Sequence, residues 1–219
     1  MVAHVNVRRL TQARRKEIAD LGRKKVRDEQ SRCLVEGHRS VDAAVASGAH
    51  VREIVATDES MASPEFEEWS QHAETVWIAA SRDLDRISDV KTSQGILAVV
   101  DTQWVDVESL ADCRRVVVLD GVQDPGNVGT IIRTAAWFGV EAVVCGPGVA
   151  DCYGPKVLRS SMGGVWDLRT VRSGSLLDDL RRIRSMDFHV CSADLQGEPI
   201  ADWTSPVPSC LVLSSEAHG

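Results

Sequence analysis

The chain reads as an α/β protein of two units, the second built on a parallel sheet. Three observations predict this. Short Val- and Leu-rich runs alternate with helical runs along nearly all of the 219 residues. In the second half those apolar runs are continuous, which marks strands buried on both faces. Hydrophobic residues make up 43% and charged residues 26% of the chain, enough to fill a core and too ordered a balance for a mainly disordered chain.

In the first half, residues 11–30 read as one helix that Thr11 caps, with Ile18, Leu21 and Val26 near one face. Cys33 to Val35 reads as a strand. His38 to Ser47 reads as a helix that stops at Gly48. Val51 to Ala56 is a strand, Pro64 to His72 a helix and Thr75 to Ile78 a strand. Ser81 caps a short helix, and residues 95–100 form a further strand. Residues 1–100 therefore make a first domain. Residues 101–113 read as a linker with one weak helical turn.

The second domain, 114–219, alternates more cleanly. Arg115 to Leu119 is a buried strand, Asn127 to Phe138 a helix closed by Gly139, and Val140 to Cys145 a strand. Pro155 to Ser161 opens a helix, and Val165 to Val171 is a strand. A helix over 175–185 and strands over 188–192 and 210–213 follow. The chain ends at Gly219, six residues past a strand whose carboxyl end an open sheet uses for ligand, and the ending reads as abrupt.

Composition excludes several classes. No apolar run approaches the ~18–20 residues of a membrane span, and the N-terminus has no apolar signal core. The six cysteines form no C-x-x-C pair and no Cys/His cluster. Structural zinc and a disulfide framework are not expected, and free thiols in a reducing cytoplasm are. The net charge of −7 hides an asymmetry. Residues 1–40 hold eleven Lys/Arg and five Asp/Glu, a balance of +6, and the rest holds 14 and 27, a balance of −13. A basic arm on an acidic body fits a polyanion partner, and equally a solvated helix face.

The most informative stretch is Leu119-Asp-Gly-Val-Gln-Asp-Pro-Gly-Asn-Val-Gly-Thr-Ile-Ile-Arg-Thr-Ala-Ala. It leaves a strand, turns through a Gly/Pro-rich loop and opens a helix, where free N–H groups favour an anion or a close-lying ligand. It matches neither G-x-G-x-x-G nor G-x-x-x-x-G-K-[ST]. Asn127 and Arg133 lie ~600° apart on a regular helix, so both reach the sheet edge only if the first turn is irregular. By itself Arg133 also reads as a surface ion-pair residue.

This stretch resembles the first signature of the SpoU (TrmH-type) family of SPOUT RNA 2′-O-ribose methyltransferases. The match is Asp124-Pro125-x-Asn127-x-Gly129, then Arg133 and Thr134. Lys156-Val-Leu-Arg-Ser-Ser-Met-Gly-Gly-Val-Trp166 resembles the family's middle segment, and Leu211-Val-Leu-Ser-Ser-Glu-Ala-His-Gly219 its second signature. Leu34-Val-Glu-Gly37 and Lys91-Thr-Ser-Gln-Gly-Ile-Leu-Ala98 resemble its N-terminal substrate-binding domain, similar to the ribosomal protein L30e fold. The resemblance implies a trefoil-knot SPOUT domain, S-adenosylmethionine as cofactor, RNA as partner with ribosomal RNA favoured over tRNA, a cytoplasmic homodimer, and neither metal nor membrane.

It also implies roles for residues. Arg133 would clamp the phosphate and the developing ribose alkoxide, since a guanidinium is a poor base. Asn127 would orient Arg133 or the ribose, and Glu216 would hold Asn127 or a loop N–H. Ala193, Leu213 and Ser214 would line the cofactor. Arg23, Lys24, Lys25, Arg27 and Arg32 would meet RNA phosphates. Two departures stand out. Ser214 occupies a position the family fills with glycine. The third signature, which completes the knot and the cofactor pocket, is absent, so the chain reads as truncated, its knot incomplete and its turnover low. A non-catalytic RNA-binding protein is the main alternative. A dinucleotide-dependent oxidoreductase is a weaker one, because the glycine fingerprint is lacking.

Overall fold

The computed structural model describes residues 6–215, apart from Lys91, Leu195, Glu198, Ile200, Ala201, Trp203 and Ser205. The first half holds β1 (Asn6–Arg9), α1 (Gln12–Asp20), α2 (Lys24–Gln30), β2 (Arg32–Glu36), α3 (His38–Ala46), β3 (Val51–Ala56), α4 (Asp58–Met61), α5 (Phe66–Gln71), β4 (Ala73–Ile78), α6 (Ser81–Leu84) and β5 (Ile96–Asp101). The strands order β1-β4-β3-β5-β2. The β1, β4 and β3 strands run parallel, and β5 runs antiparallel between β3 and β2.

Residues 11–30 form two helices rather than one. Thr11 does cap α1, its side chain accepting from the Arg14 N–H at 3.2 Å. The helix then ends at Leu21 and Gly22. Glycine inside a helix costs about 1 kcal/mol relative to alanine. Here the guanidinium of Arg27 takes the freed carbonyls, with Nη1 donating to Leu21 O and Gly22 O at 2.8 Å each. A helix running through 11–30 would have satisfied those carbonyls with its own N–H groups.

The second half holds β6 (Trp104–Val105), a 3₁₀ turn (Val107–Leu110), β7 (Arg115–Asp120), α7 (Pro125–Trp137), β8 (Ala142–Cys145), α8 (Pro155–Ser161), a 3₁₀ turn (Gly164–Asp167), β9 (Arg169–Arg172), α9 (Leu176–Ser185), β10 (His189–Ser192) and β11 (Ser209–Ser214). The strands order β10-β11-β7-β8-β9-β6, and every neighbouring pair is parallel. The segment read as a linker thus supplies an edge strand. Tyr153 anchors it: the buried hydroxyl accepts from the Gln103 N–H at 3.0 Å and meets Thr170 Oγ1 at 2.8 Å. Burial pushes that phenol up to about 12. The strand expected over 165–171 is a 3₁₀ turn followed by β9, because Gly163, at φ +93°, turns the chain before it can extend.

Alternation along β7 sorts its side chains to two faces. Val117 and Leu119 pack with Val128 and Ile132 of α7 and Val157 and Leu158 of α8. Val116 and Val118 pack with Ile183 of α9, Phe188 and Leu110. The α7 face belongs to the same apolar cluster as Val35, Val41 and Ile54 of the first half, so one core runs across both sheets. Two pairings reinforce it. Arg27 meets Asp151 at 2.7 Å with both side chains buried, and Arg172 meets Asp28 at 2.7 Å.

The sulfurs of Cys145 and Cys152 are brought side by side, with Cα atoms 7.6 Å apart, wider than a disulfide spans. The end of β8 and the loop after it fold back on each other, a contact that seven residues of sequence separation do not reveal. Cys33, Cys113, Cys191 and Cys210 are free.

Candidate active site

The parallel sheet has one switch point. From β7 the chain winds outward through β8 and β9, and β11 later returns to the other side of β7. Crevices for ligands form outside the carboxyl ends of the strands at such a point. A cleft of about 520 Å³ lies there, lined by Gly121 to Asp124 after β7, by Asn127, Thr130 and Ile131 of α7, and by Leu213, Ser214 and Ser215 at the end of β11.

The loop and helix are built by local chemistry. Gly121 turns the chain at φ +63°, a conformation side chains disfavour. Asp124 is the N-cap of α7, accepting from the Asn127 N–H at 2.9 Å, and Pro125 takes the first helical position. That hydrogen bond, with Lys156 3.6 Å away, holds the Asp124 carboxyl below the usual aspartate range. Gly129 allows α7 to lie against α8, since a Cβ there would stand 2.8 Å from the Val157 carbonyl oxygen.

The residues singled out in the sequence are only partly brought together. Asn127, Leu213 and Ser214 line the cleft. Ala193 is exposed one strand further out, its N–H donating to Val212 O at 3.2 Å. Arg133 does not line the cleft. The capped helix is regular from Pro125, so Arg133 leaves a different face, about 9 Å along the axis from Asn127 at ~1.5 Å per residue. It is exposed, and among the described residues its side chain has no partner. Glu216 lies outside the described residues.

Four of the five basic residues singled out for RNA pair with acids, two with the body's and two with the arm's own. Arg27 is a buried clamp between the halves and is unavailable to a phosphate, which corrects its reading as an RNA contact. Arg23 pairs with Asp20 at 2.9 Å, Lys25 with Glu29 at 3.8 Å and Arg32 with Asp101 at 3.8 Å. Lys24 stands exposed beside a small hollow that Trp104 and Arg172 also line. Gly121, Gln123, Thr130, Ile131 and Ser215 line the cleft without having been singled out. The signal for two of them was present, since Thr130 and Ile131 follow Asn127 at the i+3 and i+4 spacing of one helix face.

Comparison with known proteins agrees with this geometry. Residues 114–219 match the SpoU rRNA Methylase family, and residues 13–98 the MRM3-like substrate binding domain. The 23S rRNA (guanosine(2553)-2′-O)-methyltransferase RlmP of Bacillus subtilis is 33% identical over 219 residues, covering 97% of this chain and 84% of that protein.

The chain belongs to the SpoU rRNA methylase family.

A second relative, the 23S rRNA (uridine(2479)-2′-O)-methyltransferase of Streptomyces viridochromogenes, is 28% identical, covering 91% of this chain and 73% of its own length. The crystal structure of the SpoU methyltransferase AviRb from the same organism, in complex with the cofactor AdoMet, superposes with a TM-score of 0.80 at 26% identity, over 94% of this chain and 83% of that one. The cleft suits such a group. Among the described residues its lining carries one carboxylate and no cation, which fits a positively charged sulfonium nucleoside better than a phosphate. A Cβ on Gly121 would come within 3.7 Å of Ser215 Oγ and narrow the space. Val122, Ile131 and Leu213 add apolar surface for a base. Among the described residues no helix is long and apolar enough to cross a membrane, and no three His, Cys, Asp or Glu are grouped to hold a metal ion.

Proposed function

We propose that this chain methylates a ribose 2′-oxygen of ribosomal RNA with S-adenosylmethionine, as a cytoplasmic homodimer. The observation that carries this reading is the cleft itself: the family's first signature and the end of β11 meet at the switch point of a parallel sheet. S-adenosylmethionine supplies an electrophilic methyl group. Leu213, Ser214 and Gly121 would hold it, with Ala193 closing the outer strand end. Asn127, at the rim of the cleft, would orient the ribose by its amide. The relatives named above act on 23S rRNA, which favours ribosomal RNA over tRNA, and their being methyltransferases disfavours a non-catalytic protein.

A ribose hydroxyl is a weak nucleophile near neutral pH, so charge that develops on its oxygen has to be stabilised. Arg133 is the cation on the helix that borders the cleft, without a partner among the described residues. We assign it to the target's phosphate and the developing alkoxide, approached from outside the cofactor cleft. Trp137 and Phe138, 86% and 73% exposed at the end of the same helix, offer apolar surface for a second copy. A monomeric sedimentation mass at high micromolar concentration would remove the dimer.

Single-turnover transfer of a labelled methyl group to transcribed 23S rRNA tests the assignment. Arg133→Ala is expected to slow transfer by about 10²–10³, the typical cost of one donor to a developing oxyanion, with the affinity for S-adenosylmethionine unchanged. Arg133→Lys recovers part of this, since an ammonium lacks the planar fork. A rate within threefold of wild type for the alanine variant makes Arg133 structural.

A further inference from the structure

The carboxyl edge of the first sheet holds a second pocket, of about 460 Å³. The two N-terminal stretches noted in the sequence, Leu34–Gly37 and Lys91–Ala98, lead to it: His38 follows the first, and Ser93, Gln94 and Gly95 belong to the second. His38, Thr57, Ser60, Ser63, Gln94 and Gly95 line it, together with the exposed Glu59 and Ser81. Its chemistry differs from that of the methyltransferase cleft: hydroxyls and an amide dominate, and it lacks the Val, Ile and Leu side chains that line the cleft.

The pocket is built, not left over. Gly95 sits at φ +79°, and a Cβ there would stand 2.5 Å from Ser60 Oγ and 3.0 Å from Thr57 Oγ1. His38 Nε2 is held 3.2 Å from the Gln94 carbonyl, and its ring packs edge-on against Trp69 at 5.6 Å. Thr57 Oγ1 both caps α4 and donates to Ser60 Oγ at 3.3 Å. In the midst of these satisfied groups, Ser63 Oγ is buried with no hydrogen-bond partner, the one such side-chain atom among the described residues. A buried hydroxyl without a partner costs stability, and its place in the lining of a polar pocket points to a ligand that supplies the partner.

The pocket is also tied to the methyltransferase cleft. Asp124 at the cleft pairs with Lys156 of α8 at 3.6 Å. One turn on, Arg159 pairs with Asp89 and lies 3.9 Å from Glu36, the residue before Gly37. These pairs link the two sites through α8.

We propose that this pocket takes one unstacked nucleotide of the RNA substrate, flanking the methylated one, and reads its base edge. This rests on the RNA reading given above. Single-stranded bases splayed out of the stack present donors and acceptors that side-chain hydroxyls and amides can match. Ser63 Oγ and the Gln94 amide meet that edge. Glu59 accepts from an exocyclic amino group, and its carboxylate disfavours a phosphate inside the pocket. Arg39, exposed beside His38 and without a partner among the described residues, contacts the backbone at the mouth.

The test is filter binding of transcribed 23S rRNA to the full chain, with affinity for S-adenosylmethionine and thermal melting measured alongside. Ser81→Leu, on the exposed margin, is expected to raise the RNA Kd at least tenfold by filling the pocket. Ser63→Ala is expected to raise it about fivefold, one hydrogen bond's worth, with a melting temperature equal to or above wild type. Cofactor affinity stays within twofold in both. RNA Kd values within twofold of wild type for both variants overturn the pocket, as does a lower melting temperature for Ser63→Ala, which would give that hydroxyl to the fold. If wild type itself fails to bind the RNA, the RNA reading falls and takes this inference with it.

Discussion

Arg27 in α2 and Arg133 in α7 both stand out in the sequence as cations on helices. Their surroundings differ in every respect that matters to chemistry. The Arg27 guanidinium is buried, bonded to two carbonyls at the end of α1 and to Asp151 of the other half. Arg133 is exposed on a regular helix, with no partner among the described residues. The comparison teaches that positive charge in a sequence marks a polyanion site only where the fold withholds a protein partner. Three further cations of the basic arm fail that criterion, because acids of the body pair with them: Arg14 bonds Glu53, Arg15 meets Asp83 at 2.6 Å, and Arg32 faces Asp101.

The contrast can be broken first at Arg27. Arg27→Ala strands a buried Asp151 carboxylate and two helix-end carbonyls, and losing one partner of a buried pair typically costs about 3–5 kcal/mol. Urea unfolding should register that loss. The salt dependence of RNA binding should stay as in wild type. Replacing the exposed Arg23, Lys24 and Lys25 should do the reverse, with stability nearly unchanged and the log–log slope reduced by about 0.7–0.9 for each RNA phosphate no longer neutralised. An Arg27 variant that unfolds like wild type but binds RNA with a flatter slope would return Arg27 to the RNA surface.

A smaller effect sharpens the α7 side. Gly129 belongs to the signature and invites a reading as a cofactor contact, yet it faces α8 and not the cleft. Gly129→Ala should therefore act on stability, by about 1–3 kcal/mol of overpacking, with the cofactor affinity of the folded fraction little changed. Loss of cofactor binding without loss of stability would place Gly129 at the cleft instead.

Much of the molecule is legible from its residues alone. The β7 strand, the cap at Thr11 and the two SpoU signatures as motifs rest on neighbours in sequence, and Asn127, Leu213 and Ser214 do lie at the cleft. Arg133 lies farther from Asn127 than the shared signature suggests, because a well-capped helix keeps its period and carries the arginine away from the cleft. The break at Leu21 and Gly22 is not legible, because its cause, Arg27 reaching back, depends on where Asp151 comes to rest.

What the sequence by itself determined is the set of local elements, the signature loop and the family, since periodicity, capping and motif spacing act over a few residues at a time. What only the tertiary structure decided is partnership. Asp151 reaches Arg27 across 124 residues. Residues 104–105 join the parallel sheet because β9 is there to receive them. Positions 38, 57–63, 81 and 93–95 become one pocket because three strand ends and α3 open at the same edge. Burial and hydrogen bonding are settled between surfaces that meet only when the chain closes on itself, so whether a charged or polar side chain is a strut or a site is decided at that level.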